Sequence, residues 1–360
     1  MMQWCATCAA TSGGWSRRRF LSILGQACLA AGLIPGRAGA YTIYDEAGDV
    51  KIGREADPEI LKKFGYYDGP DIQNYVAQIG QRVAATADTR FSFQFKVVDQ
   101  PFINAMALPG GFIYVTRGML SELNEEAQLA GILGHEMTHV NSRHGAKLLT
   151  KAMGAQLATL LGVGAAAASG SGSAVTGIAM ISGHITNYML LGYGREYEQE
   201  ADEVGLRYAH KAGYDPRRMV TFLRALRRKE MLSGQPMYHG FEASHPDTAT
   251  RIAKADTMAS IMASEGGAME IRADAYKAHL DGLKYGEAKD QRRLRVYTVK
   301  AGDTLASIAR NELKDEGRRY ELASLNGYRD DDAVTPGSRL KLAVKDTPAS
   351  RLDLTIEKKE

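Results

Sequence analysis

The stretch that decides the fold is His135-Glu136-Met137-Thr138-His139, an H-E-x-x-H sequence inside a predicted helix. Residues four apart on an α-helix lie on the same face, so the two imidazoles point in the same direction. Two neutral imidazoles on one face can share a zinc ion, and Glu136 between them is placed to act as a general base. One short motif also arises by chance, so a zinc site requires support from elsewhere in the chain.

A candidate third ligand lies in a second helical stretch, Glu198-Gln199-Glu200-Ala201-Asp202. Glu198 and Asp202 share a face because they are one turn apart. Catalytic zinc typically takes three protein ligands, and two histidines with one glutamate are an established set. We therefore assign Glu198 as the ligand and Asp202 as the carboxylate that fixes the tautomer of a ligand histidine. The alternative is a charged, solvated helix surface, which is the interpretation we adopt for Glu200.

His144 is the remaining histidine near the motif. A metzincin would place its third histidine at position 145, where this chain has Gly145. His144 follows His135 by nine residues, which corresponds to roughly half a turn around a continuous helix. We therefore exclude His144 from the set of zinc ligands.

Capping signals predict where the two ligand helices begin and end. Asn124, followed by two glutamates, predicts the N-cap of a long amphipathic helix that carries the H-E-x-x-H motif. Gly213 predicts the end of the second ligand helix, and Asp215-Pro216 predicts the N-cap and first residue of the next one. Gly205 lies on the same face as the proposed carboxylate ligand. A glycine there predicts close packing between the two ligand helices.

Two further segments complete a family pattern. Upstream of the motif lies Asn104-Ala105-Met106-Ala107-Leu108-Pro109-Gly110-Gly111-Phe112-Ile113-Tyr114-Val115, and downstream lie Ser244-His245-Pro246 and Arg251. From about Ile52 to about Gly286 the chain resembles the gluzincin-type zinc metalloproteases that include BepA, HtpX and the CAAX prenyl proteases. The resemblance implies an α+β fold: a mainly helical protease domain with a small β-sheet and an active-site edge strand. The soluble periplasmic branch is the closer one, because the mature chain has no stretch resembling the transmembrane helices of HtpX-like members.

The resemblance implies a role for each matched residue. The implied metal ligands are His135, His139 and Glu198, which would hold one Zn²⁺ per chain, with Asp202 behind them. The implied catalytic residues are Glu136, His245 and Arg251. His245 would lie near the metal, either supporting the oxyanion or acting as a removable fourth ligand. Arg251 would support charge at the site, and a surface salt bridge is the alternative.

The resemblance also implies a substrate-binding edge strand. Phe112–Thr116 would pair with an extended polypeptide backbone, which is β-augmentation. The residues Pro109-Gly110-Gly111 would shape the turn that enters this strand. The implied substrate-binding residues are Asn104, Ala105, Gly110, Gly111, Phe112, Ile113 and Tyr114.

The first forty residues match a twin-arginine-type signal peptide. The pattern consists of Ser16-Arg17-Arg18-Arg19-Phe20-Leu21, an apolar stretch to Ile34 and a cleavage site at Ala38-Gly39-Ala40. All three cysteines of the chain lie in this segment. We expect an exported protein of the periplasm or cell envelope; the alternative is a basic cytosolic N-terminus.

Charge gives no reason to expect a nucleic-acid partner. The chain has 45 basic and 42 acidic residues, and residues 1–40 hold four arginines and no acidic residue. The mature chain is therefore close to neutral, which does not favour nucleic acid or an anionic membrane surface as a partner.

The segment Ala152–Gly183 is rich in alanine, glycine and serine. Neither of its halves supplies the roughly 20 apolar residues of a spanning helix, so we predict a mobile helical hairpin beside the cleft, with a core-covering loop as the alternative.

The C-terminal part predicts a separate small module. We place the protease domain at residues 41–287, a charged linker at 288–295, the module at 296–344 and a charged, disordered tail at 345–360. A β-branched strand, a cap at Asp303 or Thr304, apolar helix positions and a closing strand make a βααβ unit. It resembles a LysM domain, which implies binding to peptidoglycan; a docking or purely structural module is the alternative.

Two functions therefore compete at this point. The first is a zinc endopeptidase that acts on polypeptides of the cell envelope, in protein quality control. The second is a peptidoglycan-directed metallohydrolase or wall-binding factor whose LysM-like domain defines its substrate. An edge strand that pairs with a peptide backbone favours the first function over the second.

Overall fold

The structure is a computed structural model that describes residues 45–151, 192–233, 245, 248–267, 269–329 and 332–347. The predicted signal peptide and helical hairpin lie outside the described residues, as does the chain after residue 347. Within these ranges no helix combines the length and apolar composition needed to cross a membrane.

The predicted α+β class is confirmed by an array of helices around two small sheets. The helices are α1 (Glu46–Phe64), α2 (Pro70–Ala84), α3 (Arg117–Glu122), α4 (Glu126–Asn141), α5 (Arg195–Lys211), α6 (Arg217–Ser233), α7 (Thr248–Ser264), α8 (Ala273–His279), α9 (Leu305–Glu312) and α10 (Arg319–Leu325). The strands are β1 (Gln94–Val98), β2 (Ala105–Leu108), β3 (Phe112–Thr116), β4 (Lys284–Tyr285), β5 (Arg292–Thr298) and β6 (Arg339–Lys345). Short 3-10 turns cover Ala288–Asp290 and Glu316–Arg318.

The first sheet has the order β1-β3-β2, so β3 is its central strand. It pairs in parallel with β1 and antiparallel with β2, with Leu108 opposite Phe112. The three-residue turn between β2 and β3 contains Gly110 and Gly111, both at positive φ. The prediction that Phe112–Thr116 forms the edge was wrong, because the distant strand β1 occupies its second side. The two edge strands of the described sheet are β1 and β2.

Helix α4 crosses the centre of the molecule and is buried on every side. Its residues from Glu126 to Val140 are all buried, whereas we predicted an amphipathic helix with one apolar face. The predicted N-cap is also displaced, because Glu125 holds the N-cap position. Asn124 instead donates its backbone N–H to the side-chain oxygen of Gln128. A helix buried in this way holds the H-E-x-x-H side chains in a fixed position.

Helix α5 lies directly against α4 through a pair of glycines. A Cβ atom on Gly205 would lie 2.5 Å from the backbone nitrogen of His135, and one on Gly134 would lie 2.6 Å from the carbonyl oxygen of Gly205. The predicted close packing at Gly205 is therefore present. Beyond α5, Gly213 adopts a positive φ, and Asp215 accepts the backbone N–H of Arg217 at the start of α6.

Apolar cores lie on both faces of the first sheet. The larger core joins α2, α4, α5, α6 and α7, and it includes Ile113 and Leu206. A second core lies between α1 and the opposite face of the sheet, and it includes Phe112 and Tyr114. Together these cores hold the sheet against the helix that carries the motif.

The C-terminal module is a βααβ unit with its own core, as predicted. Thr304 is the N-cap of α9, accepting from the backbone N–H of Ser307, so the choice between Asp303 and Thr304 falls on Thr304. The predicted linker is folded instead of irregular, because β5 begins at Arg292 and pairs with β4 and β6. Leu294 on this strand belongs to the core of the protease part, which explains why the segment is ordered.

Strand β6 ties this module to the protease part. Its residues alternate, so Leu340 and Leu342 face the core of the module while Lys341 points the other way. The fully buried side-chain nitrogen of Lys341 donates to the carbonyl oxygens of Ser121 at 2.6 Å and Leu123 at 2.7 Å. These carbonyls end α3, immediately before the helix that carries the H-E-x-x-H motif.

Candidate metal centre

Three segments of the chain bring the predicted site residues together. Helix α4 supplies His135, Glu136 and His139, and α5 supplies Glu198 one turn from its start. His245 lies in the chain that leads to α7, and it is 2 % exposed. These groups meet because α4 and α5 pack at backbone distance through their glycines.

Four of these side chains can hold a metal ion. One donor atom from each of His135, His139, Glu198 and His245 lies within 4.8 Å of every other. The Nε2 atom of His135 is 3.1 Å from Nε2 of His139 and 3.2 Å from Nδ1 of His245. The Glu198 carboxylate oxygens are 3.6 Å from His135 Nε2, 3.4 Å from His139 Nε2 and 3.0 Å from His245 Nδ1.

These separations fit a tetrahedral zinc site. Zinc takes histidine nitrogen and carboxylate oxygen at about 2.0–2.2 Å, and a tetrahedron of that radius has edges of about 3.3–3.6 Å. Five of the six spacings between donor atoms are 3.0–3.6 Å, close to that range, and the sixth, between His139 and His245, is within 4.8 Å. Three buried imidazoles and one buried carboxylate are also the ligand types that zinc prefers.

Glu136 lies beside this cluster without a hydrogen-bond partner. Both of its carboxylate oxygens are buried, and no described residue donates to either of them. Burial raises the pKa of Glu136 above its usual value, and this effect outweighs the opposite effect of His245 and His135, which lower the pKa. Its Oε1 atom is 3.4 Å from Nε2 of His245, on the side of the cluster where His245 enters. A buried carboxylate in this state is suited to accept a proton from a bound water molecule.

Asp202 and Arg251 lie behind the ligands. Asp202 Oδ1 is 2.9 Å from Nδ1 of His135, which leaves Nε2 of that ring for the metal. The Arg251 guanidinium donates to both oxygens of Asp202 at 2.7 Å and is 2.7 Å from Glu198 Oε2. Burial alone would raise the pKa of Asp202, but Arg251 and His135 outweigh it and the pKa is lowered. Both carboxylates are therefore held as anions facing the site.

Arg251 lies against two carboxylates of the site and not at the surface. The side chain is 2 % exposed, so it does not form a surface salt bridge. Its contacts are to carboxylates and to the backbone carbonyl of His245 at 3.0 Å. It therefore orients Glu198, Asp202 and the chain around His245.

A second layer around His139 had no assigned role in the sequence. The Nδ1 atom of His139 is 2.9 Å from Nδ1 of His144, and the ring of Tyr193 stacks on His139 at 4.0 Å. The Nε2 atom of His144 is 3.3 Å from Glu200 Oε2, so Glu200 contacts this histidine from the exposed position predicted for it. Its side chain is 44 % exposed. No sequence signal marks Tyr193, which precedes α5.

The predicted substrate residues are divided between the edge and the interior. Ala105 lies in the edge strand β2, Asn104 immediately before it, and the two glycines form the hairpin turn. Phe112, Ile113 and Tyr114 lie in the central strand, where their side chains enter the two cores. Strand β2 adjoins the metal-ligand cluster, because Ala107 and Leu108 line a small cavity with His139.

Comparison with known proteins identifies the family. The sequence profile of peptidase family M48 matches residues 70–259, more than half of the chain, and includes both ligand helices. The chain belongs to peptidase family M48. A LysM domain profile matches residues 297–343 of this M48 chain, so the resemblance of the C-terminal module is confirmed.

Named relatives of this M48 chain share part of its length. The beta-barrel assembly-enhancing protease of Escherichia coli K12 is 28% identical over 196 residues, which cover 54% of this chain and 40% of that protein. The mitochondrial metalloendopeptidase OMA1 of Schizosaccharomyces pombe is 27% identical over 209 residues, covering 57% of this chain and 59% of that protein. Human OMA1 is 30% identical over 175 residues, which cover 47% of this chain and 33% of that protein. The match therefore spans less than two thirds of each relative.

Proposed function

We propose that this chain is a zinc-dependent endopeptidase of the bacterial cell envelope that hydrolyses envelope proteins in quality control. The observation that carries the proposal is a cluster of four metal-donor groups beside the Glu136 carboxylate, to which no described residue donates a hydrogen bond. Membership of a peptidase family and relatives named as metalloendopeptidases support the reaction class. The relative named as a beta-barrel assembly-enhancing protease and the LysM domain support the envelope as its location.

His135, His139 and Glu198 would hold one zinc ion. When bound, zinc supplies Lewis acidity and lowers the pKa of a coordinated water molecule towards neutrality. Glu136 takes up the proton of the attacking water on a carboxylate oxygen and passes it to the leaving amine. Asp202 keeps the proton of His135 on Nδ1, so that Nε2 remains a metal donor.

We further propose that His245 closes the site in a resting state. A catalytic zinc keeps its fourth position open, whereas four protein ligands make a closed site. His245 Nδ1 is 3.0 Å from both oxygens of the ligand Glu198. This proximity supports His245 as the fourth metal donor instead of as a group that stabilises the oxyanion. Substrate entry would then require His245 to leave, along with its backbone hydrogen bond to Arg251.

Replacing His245 by alanine tests this arrangement. We expect casein hydrolysis to rise severalfold, because the fourth position becomes available to water, while zinc content stays near one per chain. His279→Ala, a histidine replacement on α8, serves as the control and should leave the rate unchanged. A rate more than tenfold lower with zinc retained would instead assign His245 to stabilisation of the oxyanion.

The edge strand β2 is the proposed site of substrate pairing. Within the described sheet its outer side has no partner strand, and it adjoins the helix that carries the metal ligands. An extended peptide added to this edge would run along the cleft with its backbone hydrogen-bonded to Ala105–Leu108. Such an edge suits a polypeptide better than a sugar chain, which supports the endopeptidase over a peptidoglycan hydrolase.

The LysM domain is proposed to bind envelope glycan and to hold the protease near it. A cavity of about 500 Å³ lies between the loop that follows α10, at Asn326–Tyr328, and the protease helices α6 and α8. Polar side chains and the rings of Phe222 and Tyr328 line this cavity, as is common in carbohydrate sites. The buried Lys341 contact would keep the glycan-binding module in a fixed orientation to the protease part.

One experiment separates the two functions. We expect the purified protein to cleave casein, to lose this activity with 1,10-phenanthroline, and to regain it when stoichiometric zinc is added. The same preparations should be retained on purified peptidoglycan through the LysM domain and should release no soluble fragments from it. Zinc-dependent release of wall fragments without casein cleavage would reverse the assignment.

A further inference from the structure

A break in the helix just after the H-E-x-x-H motif places His144 against a ligand. Helix α4 ends at Asn141, and Arg143 adopts a left-handed φ of 54°. A new helical segment begins at residue 144, so His144 is not on the same continuous helix as His135. Its fully buried ring lies against His139 instead of on the opposite side, which the spacing of nine residues had predicted.

Hydrogen bonding fixes which nitrogen of each ring carries a proton. Nε2 of His139 faces the other donor atoms, so its proton must lie on Nδ1 when that ring binds a metal. Nδ1–H of His139 then donates to Nδ1 of His144 across 2.9 Å. His144 consequently carries its own proton on Nε2, which points to Glu200 Oε2 at 3.3 Å. Glu200 also accepts a hydrogen bond from the hydroxyl of Ser142.

Aromatic rings hold both imidazoles in these orientations. Tyr193 stacks on His139 with an angle of 16° between the rings, and Tyr197 stacks on His144 at 4.4 Å with an angle of 22°. Rotation of either imidazole would break its hydrogen bond and its stacking contact together. Asp202 contacts the ligand His135 directly. Glu200 is linked to the ligand His139 in a similar way, but through the imidazole of His144.

We propose that His144 and Glu200 are a positioning pair that orients His139 for zinc. The proposal rests on the proposed zinc site and assigns a purpose to a buried histidine that is not itself a ligand. His144 provides the acceptor for Nδ1–H of His139, and Glu200 fixes the tautomer of His144 from the surface. Outer hydrogen-bond partners of this kind typically contribute about 10- to 100-fold to metal affinity.

Zinc affinity of matched variants tests the proposal. The measurement is competition with a chromophoric chelator, using the full protein and zinc alone. We expect His144→Leu to bind zinc about 10- to 100-fold more weakly and Glu200→Gln to show a smaller loss. His144→Asn should recover most of the affinity, because its amide oxygen can accept from Nδ1–H of His139. Glu203→Gln on the exposed side of α5 is the control and should match the wild type.

The outcomes separate this pair from a packing role and from the zinc site itself. Urea unfolding of the zinc-free proteins reports packing, and a packing role predicts that His144→Asn binds zinc as weakly as His144→Leu. That result, or wild-type affinity in His144→Leu, would overturn the positioning role. If the wild type binds zinc and His144→Leu binds it with the same affinity, the proposed function would remain intact. A wild type that binds no zinc would refute both.

Discussion

Replacing Glu136 by glutamine is expected to lower casein hydrolysis by about 10²- to 10⁴-fold, the range for loss of a general base. Glutamine has nearly the same size but cannot take up the proton of the attacking water. The site should otherwise remain in place, because no described residue forms a hydrogen bond to the Glu136 carboxylate. Zinc content should therefore stay at one per chain.

Single-turnover cleavage of casein, with zinc measured on the same samples, checks this expectation. Glu203→Gln makes the same chemical change on the exposed face of α5 and should cleave casein at the wild-type rate. If Glu136→Gln cleaves within a factor of a few of the wild type, the proton acceptor must be another group.

Replacing Gly205 by alanine should damage both stability and metal binding. The added Cβ would lie 2.5 Å from the backbone nitrogen of His135 and 2.8 Å from its Cα, so rigid backbone opposes it. Overpacking of this kind typically costs about 1–3 kcal/mol. Helix α5 can relieve the clash only by moving away from α4, and Glu198 and Asp202 would move with it. We therefore expect zinc affinity to fall together with the free energy of unfolding.

Urea unfolding of the zinc-free protein and a zinc titration measure the two effects. Gly194→Ala is the matched control, because a Cβ at the N-cap of α5 would have nothing within 4 Å. A Gly205→Ala variant as stable as the Gly194→Ala variant, with unchanged zinc affinity, would show that the two helices do not depend on this contact.

The helical part of the site could be read from the sequence because its spacing is local. The i, i+4 pairs at His135 with His139 and at Glu198 with Asp202 are one-turn repeats, which any α-helix places on one face. Gly205 gave a further local signal, since only a glycine permits the backbone approach that the structure has. These features required no knowledge of how distant segments pair.

Non-local pairing explains the predictions that were wrong. Whether Phe112–Thr116 is an edge depends on β1, about twenty residues away, and a local pattern does not reveal that parallel pairing. The charged segment before the LysM domain reads as a linker, yet β4 and β6 recruit it into a sheet. His144 was displaced from its predicted position by one backbone conformation, the left-handed φ of Arg143. A surface salt bridge stayed open as the alternative for Arg251 because its two carboxylate partners lie far along the chain.

Zinc stoichiometry is the measurement that tests the central claim most directly, since everything depends on His135, His139 and Glu198 holding one ion. We predict one zinc per chain in the purified wild type and in Glu203→Gln, measured by mass spectrometry after removal of free metal. Glu198→Ala should retain little zinc under the same conditions, with its fold checked by circular dichroism. A folded wild type that binds no zinc, or a Glu198→Ala variant that keeps one tightly bound ion, would contradict the account.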